Sequence, residues 1–204
     1  MTRTFFNQKA SVWDETCCEQ DTAKLKALAE RLGVEPGATL LDVGSGTGIF
    51  LPLLLRKIGN QGVLVALDYA EEMLRKARGK NLSQRISYLQ GDVASLPLRS
   101  EIFDACVCYS SFPHFQDKPK ALQEMNRVLR KGGRLIICHT SNRDEINRVH
   151  RQIPAVANDI IPAEGELKTM LKRAGFIDIR IDDNATSYLA TAQKSTAYES
   201  YPHR

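Results

Sequence analysis

The sequence predicts an α/β protein on a doubly wound sheet of seven strands, five or so of them parallel, with an antiparallel hairpin at the C-terminal end. Three observations predict it. Short apolar runs alternate with amphipathic stretches from residue 38 to residue 139, the pattern of strand, crossover helix and parallel strand. Three alternate glycines follow the first apolar run. The last two β-patterned runs are joined only by DDNAT, too short for a parallel crossover, so they must run antiparallel.

The elements follow in order. Within Asp14 to Leu32, Leu25, Leu28, Ala29 and Leu32 form a helical stripe that ends at Gly33, which predicts one amphipathic helix within an N-terminal cap over residues 1–35. ATLLDV reads as a strand buried on both faces because no polar residue alternates within it. A helix over Gly48 to Ile58 follows, with Pro52 tolerable in the first turn. The strand VLVALD, a helix over Ala70 to Lys80 and the strand RISYLQGD complete two crossovers. FDACVCY is the fourth strand. Asp117 is placed to cap a helix with the stripe Ala121, Leu122, Met125, Val128 and Leu129, stopped by Gly132 and Gly133 before the fifth strand, RLIICH.

Residues 140–162 read as a substrate-side insertion: RDEINRVHRQI is helical in pattern, while Pro154 and Pro162 limit regular structure. A helix from Glu164 to Ala174 and the strands FIDIRI and SYLATAQ close residues 163–204. The whole, 1–204, is expected to be one domain with its cofactor core at 36–139.

Composition narrows the function classes. Hydrophobic residues make up 43% and charged residues 25% of 204, ordinary globular proportions. The net charge of +4 falls far short of a clustered basic footprint, so no nucleic-acid partner is expected. The longest apolar stretch, Ile49 to Leu55, contains Pro52 and is well below the ~18 residues needed to span a bilayer. The first residues, MTRTFFNQKASVWDE, lack the apolar centre of a secretory signal, so a cytoplasmic location is expected. Five cysteines, Cys17, Cys18, Cys106, Cys108 and Cys138, are odd in number and lack C-x-x-C spacing, which fits reduced, buried thiols. Cys17 and Cys18, adjacent on a helix, point in different directions, while Cys106 and Cys108 share a strand face.

The strongest chemical signal is LLDVGSGTGIF, with Gly44, Ser45, Gly46 and Gly48 between a buried strand and a helix start. Glycines there allow a sharp turn and let a ligand lie against main-chain N–H groups. The third glycine comes two residues after the second, not three as in the dinucleotide fingerprint. Asp68 ends the second strand, where a carboxylate can accept both ribose hydroxyls; NAD enzymes use the same position, so Asp68 alone does not discriminate. Asp92 adds a carboxylate on the same rim, suited to an adenine amino group.

The ordered set LLDVGSGTG, ALDYAEEML, YLQGDVASLPL, FDACVCYSSFPHF and RVLRKGGRLII, covering residues 38 to 139, resembles the class I S-adenosylmethionine-dependent methyltransferases. Within them it is similar to the ubiquinone/menaquinone C-methyltransferase-like, type 11 subgroup. The resemblance implies a Rossmann-like sheet whose seventh, antiparallel strand sets it apart from NAD-binding domains. It implies S-adenosyl-L-methionine as donor and S-adenosyl-L-homocysteine as product. By resemblance, Asp42, Gly44, Gly46 and Gly48, with Ser45 between them, would surround the methionine end, and Asp68 would hold the ribose. Asp92 and Val93 would meet adenine, and Tyr69 and Met73 would flank the adenosine. Tyr109 would lie close to the transferring methyl. Met73 reads equally as helix core. In that family the first helix helps cover cofactor and acceptor, which involves Phe5, Phe6 and Trp13.

The implied activity is in-line transfer of a methyl group to an O, N, S or C nucleophile of a small molecule. Alignment matters most, and a base is needed only if the nucleophile must lose a proton. His114 after the fourth strand and His139 ending the fifth are the base candidates; Trp13, Arg143 and His150 join them as acceptor-binding candidates. Each has a plainer reading: His114 as a loop hydrogen bonder, His150 and Arg143 as solvated helix residues. Three imidazoles can hold a metal, but none is assigned. Two other readings stand beside this one: a non-catalytic S-adenosylmethionine-binding module, which would dimerise through its hairpin, and a metalloid or thiol methyltransferase using the cysteines. A nucleic-acid methyltransferase is disfavoured by the charge and by YSSFPHF, which lacks an Asn-Pro-Pro-aromatic or Asp-Pro-Pro-aromatic pattern. No motif decides whether a homo-oligomer forms.

Overall fold

The computed structural model describes residues 2–16 and 21–197. Cys17 and Cys18 lie outside the described residues. Strands β1 (Thr39–Val43), β2 (Val63–Asp68), β3 (Ile86–Gln90), β4 (Phe103–Tyr109), β5 (Leu129–His139), β6 (Phe176–Asn184) and β7 (Ser187–Lys194) form one sheet in the order β3-β2-β1-β4-β5-β7-β6. β1 to β5 pair in parallel, while β7 lies antiparallel between β5 and β6. The order reverses beside β1, so the loops after β1 and β4 diverge and open a crevice at the carboxyl rim.

The helices are α1 (Thr2–Lys9), α2 (Trp13–Thr16), α3 (Thr22–Glu30), α4 (Leu51–Ile58), α5 (Glu71–Gly79), α6 (Lys118–Val128), α7 (Arg143–Arg151) and α8 (Glu164–Arg173). Successive strand residues point to opposite faces, and both faces are covered. Leu41, Val43, Cys106, Cys108, Leu135 and Ile137 pack with α6 and α8. Leu40, Ala105, Val107, Ile136 and Cys138 pack with α3 and α4. This is why the strands read as unbroken apolar runs. The cysteines divide between the two faces, and burial pushes the Cys106 thiol up, out of reach of reactivity at neutral pH.

Three boundaries differ from expectation. The stretch Asp14 to Leu32 is not one helix: Asp21, extended at φ −68° and ψ 93°, starts α3 afresh by accepting from the amides of Ala23 and Lys24, and residues 17–20 within the stretch lie outside the described residues. A carboxylate placed this way supplies two of the amide partners that a new helix end lacks. The helix after the glycines starts at Leu51 and not Gly48, because Gly48 sits at φ +81°, outside right-handed helical geometry. Gly132 and Gly133 do not separate α6 from β5. The turn occurs at Leu129, and the glycines form a bend inside the strand, where a Cβ on Gly133 would lie 2.8 Å from the Arg130 carbonyl. Among the described residues no helix is long and apolar enough to cross a membrane.

Candidate active site

A cleft of about 490 Å³ opens at the carboxyl rim, walled by the segments that follow β1, β2, β3 and β4 and closed on one side by α1 and α2. The glycine loop forms its floor. The amides of Gly44 and Ser45 both donate to the Leu67 carbonyl, at 2.8 and 2.9 Å, which turns the chain sharply at the end of β1. Gly44 stands at φ +73°, and a Cβ there would fall 2.3 Å from Cβ of Ser111. Gly46, at φ +55°, faces open space, and beside it the buried Ser45 hydroxyl has no hydrogen-bond partner. Gly48 differs from both, because its missing side chain makes room for Leu51 and Ala77, so it serves packing and does not line the cleft.

Asp68 is held by the backbone, accepting from the Gly46 amide at 2.8 Å and the Ala70 amide at 2.7 Å. Burial pushes its carboxyl up, against the pull of those amides and of His114. Asp42 lies beneath the loop, only 2% exposed and outside the cleft wall. Burial first, and the nearby Asp68 second, push it up to about 8. Asp92 accepts from the Ala94 amide at 2.9 Å, fixing the turn after β3, and Val93 lines the wall beside it. Tyr69 is half exposed with the Arg3 guanidinium 5.2 Å from its ring centre. Met73 fulfils both of its readings, packing with Ala10 and Ala70 while touching the cleft. Tyr109 also lines it, its ring stacked on Phe50 at 4.4 Å.

The N-terminal helices are pinned in place by polar contacts. Asp14 accepts from the Thr47 hydroxyl in the glycine loop and pairs with Lys80 at 2.9 Å. Asn7 accepts from the Glu72 amide at 3.0 Å, and Lys76 donates to the Ser11 carbonyl at 2.7 Å. These bonds bring Arg3, Phe6 and Trp13 into the wall. Phe6 meets Trp13 edge to face at 5.4 Å and His114 at 4.9 Å.

The histidines separate. His114, on the 3-10 turn Phe112–His114 after β4, lines the cleft, with Nδ1 2.9 Å from a carboxylate oxygen of Asp159. His150 sits behind it, ring centres 4.8 Å apart, its Nδ1 bonded to the Asp159 carbonyl. His139 is only 2% exposed and outside the wall, with no hydrogen-bond partner at Nε2. Burial, then His114 and His150, hold its imidazole down at about 3. Arg143 also lies outside the wall, paired with Asp144 at 2.8 Å and near Asp183 at 3.9 Å. Of the acceptor candidates, then, the structure brings Trp13 and His114 to the cleft. Among the described residues no three His, Cys, Asp or Glu side chains gather as a metal site. Sequence reasoning misses Asp159, which no spacing or motif marks, along with Thr47, Ser111 and Phe115. Ser111 and Phe115 stand in the already noted YSSFPHF.

The chain is also similar to known proteins in sequence and in fold. Residues 41–137 match the family model described as a methyltransferase domain. The ubiquinone/menaquinone biosynthesis C-methyltransferase of Yersinia enterocolitica serotype O:8 is 34% identical over 139 residues, 66% of this chain and 55% of that protein. The Yersinia pestis counterpart is 33% identical over the same shares. The chain thus spans about half the length of these relatives. A SAM-dependent methyltransferase from Aquifex aeolicus superposes with TM-score 0.72 at 23% identity, over 92% of this chain and 97% of that one. Haemonchus contortus phosphoethanolamine N-methyltransferase 2, solved with phosphomonomethylethanolamine and S-adenosylhomocysteine, gives TM-score 0.77 at 15% identity, over 96% of this chain and 60% of that one. The last two likenesses concern the fold. Over residues 41–137, then, the chain is similar to methyltransferase domains.

Proposed function

We propose that the protein transfers a methyl group from S-adenosylmethionine to a small-molecule acceptor held in the rim cleft, as a single cytoplasmic domain whose cap and insertion select the acceptor. The observation that carries this reading is one cavity lined by two chemically different sets of groups. Backbone amides and fixed carboxylates make up one set, and Phe6, Trp13, Phe115 and His114 the other.

The residues present fit the donor. The open space at Gly46 and the unpartnered Ser45 hydroxyl leave a polar cradle at the loop, suited to the charged methionine end. Asp68 keeps acceptor capacity beyond its two backbone bonds and would hold the ribose hydroxyls. Asp92 and Val93 would meet the adenine edge, with Tyr69 and Met73 on either side of the adenosine. When bound, S-adenosylmethionine supplies an electrophilic methyl on a sulfonium, open to in-line displacement. The chain's own work is alignment and exclusion of water, which the pinned N-terminal helices support. Tyr109 lines the cleft with its ring stacked on Phe50. His114 is the base candidate in the wall; His139, held neutral and away from the wall, is better suited to a structural role.

The test is calorimetric titration with S-adenosylmethionine, S-adenosylhomocysteine and NAD, with thermal stability read in parallel. The first two should bind at micromolar concentration, and saturation at about 100 times Kd should add about 2.7 kcal/mol of stability. Binding of NAD alone would overturn the reading.

A further inference from the structure

We propose that Asp159 is a positioning residue that orients His114 to take the proton of a hydroxyl-bearing acceptor in the cleft. The inference rests on the methyl-transfer reading above.

An ionised carboxylate can only accept, so the 2.9 Å contact makes Nδ1 of His114 the donor and leaves the lone pair on Nε2. The pair is not a solvated surface contact, since the two side chains are 16% and 14% exposed. Asp159 is itself fixed. Its amide donates to the Val156 carbonyl at 2.9 Å, and its carbonyl accepts from His150. Two residues on, Ile161 is clamped to the buried Asn147 side chain by bonds of 2.8 and 3.0 Å. On the other side Phe6 packs edge to face on the imidazole. The ring therefore has a carboxylate at one nitrogen, an aromatic wall and an orientation set by the insertion.

Asp159 and His150 adjoin His114, Asp68 and His139 lie within its electrostatic reach, and Lys118 acts on Asp159 and His150. An amine attacks through a lone pair it already has, whereas a hydroxyl must shed its proton on the way to the new bond. An oriented imidazole beside Phe6, Trp13 and Phe115 thus fits a hydroxyl on a planar ring. The hydroxyl proton passes to Nε2, the oxygen's electron pair forms the bond to the methyl carbon, and the methyl–sulfur pair stays on sulfur. The imidazolium faces Asp159 until its proton leaves to solvent.

The test uses the full chain, wild type, Asp159→Asn, Asp159→Glu and His114→Gln, with a series of phenols of graded acidity. His114→Gln should lower kcat on a weakly acidic phenol by about 100-fold or more, and Asp159→Asn by roughly 10-fold to 100-fold, with KM and the affinity for S-adenosylmethionine unchanged. The loss in Asp159→Asn should shrink towards phenols already ionised at the assay pH, and Asp159→Glu should recover part of it. Nitrogen NMR of the imidazoles should find His114 protonated at Nδ1 in the wild type and mixed between the two nitrogens in Asp159→Asn. An equal loss across the phenol series, an unchanged imidazole state in Asp159→Asn, or a wild type that binds S-adenosylmethionine yet leaves every phenol untouched would overturn the proposal. Absence of S-adenosylmethionine binding would instead remove the methyl-transfer reading beneath it.

Discussion

Two sets of groups line the cleft, and they are built by different means. One is main chain: the amides of Gly44 and Ser45 tied to the Leu67 carbonyl, and the Asp68 carboxylate held at hydrogen-bond distance by the amides of Gly46 and Ala70. The other is side chains from three separated segments, Phe6 and Trp13 from the cap, His114 and Phe115 after β4, and Asp159 behind them from the insertion. A backbone site depends on φ angles and steric room, so it tolerates little change. A side-chain site can be rebuilt residue by residue, which suits a wall that must differ between acceptors.

That contrast breaks most visibly at Gly44. Alanine there would occupy φ +73° and meet Ser111 at 2.3 Å, costing about 2 to 5 kcal/mol from left-handed strain plus overpacking. Thermal unfolding should fall by several degrees and S-adenosylmethionine binding should disappear; a fully stable, binding variant would mean that the loop is not rigid. Next comes Asp68→Ala, which strips the amides of Gly46 and Ala70 of their acceptor as well as the ribose. Cofactor affinity should drop by roughly 1.5 to 3 kcal/mol, or about 10-fold to 150-fold, and unchanged affinity in calorimetry would end that assignment. Phe6→Ala should do the converse, raising the acceptor KM by about 5-fold while moving cofactor affinity less than about 3-fold, in line with roughly 1 kcal/mol for a lost aromatic pair. Equal effects on both ligands would dissolve the distinction between the two sets.

The smallest effect is in pH. Asp42, at about 8 against 3.8 for the free side chain, keeps its proton in the folded state and sheds it when unfolded. Its contribution is full below 3.8 and is lost as pH rises to 8. Asp68, also raised, acts in the same direction. His139, held at about 3 against 6.5, works in the opposite sense, with stability present above 6.5 and lost as pH falls towards 3. The two oppose each other through mild acid, and from 6.5 to 8 the carboxylate decline stands alone. Melting temperature should therefore fall across that window in the wild type and less in Asp42→Asn; identical slopes would contradict it.

The same division explains what is legible in the sequence. Unbroken apolar runs and glycines carry the sheet and loop, because backbone geometry writes itself locally. Resemblance puts Asp42 and Gly48 at the cofactor, yet one lies beneath the loop and the other packs on Leu51 and Ala77. Neighbours in a motif need not share a surface. His139, Arg143 and His150 look convergent because all follow β5, but a strand end can bury one residue while the next helix turns another towards Asp144 and Asp183. Asp159 meets His114 across 45 positions, a contact made by tertiary packing with no local trace. The fresh start of α3 turns on Asp21, whose capping role is hidden in the sequence by a continuous stripe.

The place of β7 between β5 and β6 also has a consequence in time. β5 pairs with β4 on one edge, but its other edge, along Leu135, Ile136 and Ile137, has its partner only in residues 187–194. Between them α7, α8 and β6 must be made. At about 5 to 20 residues per second, a ribosome would expose that apolar edge for a matter of seconds in every new molecule. Slowed translation across residues 140–186 should therefore lower soluble yield more than the same slowing before residue 129, and chaperone demand should peak in that interval.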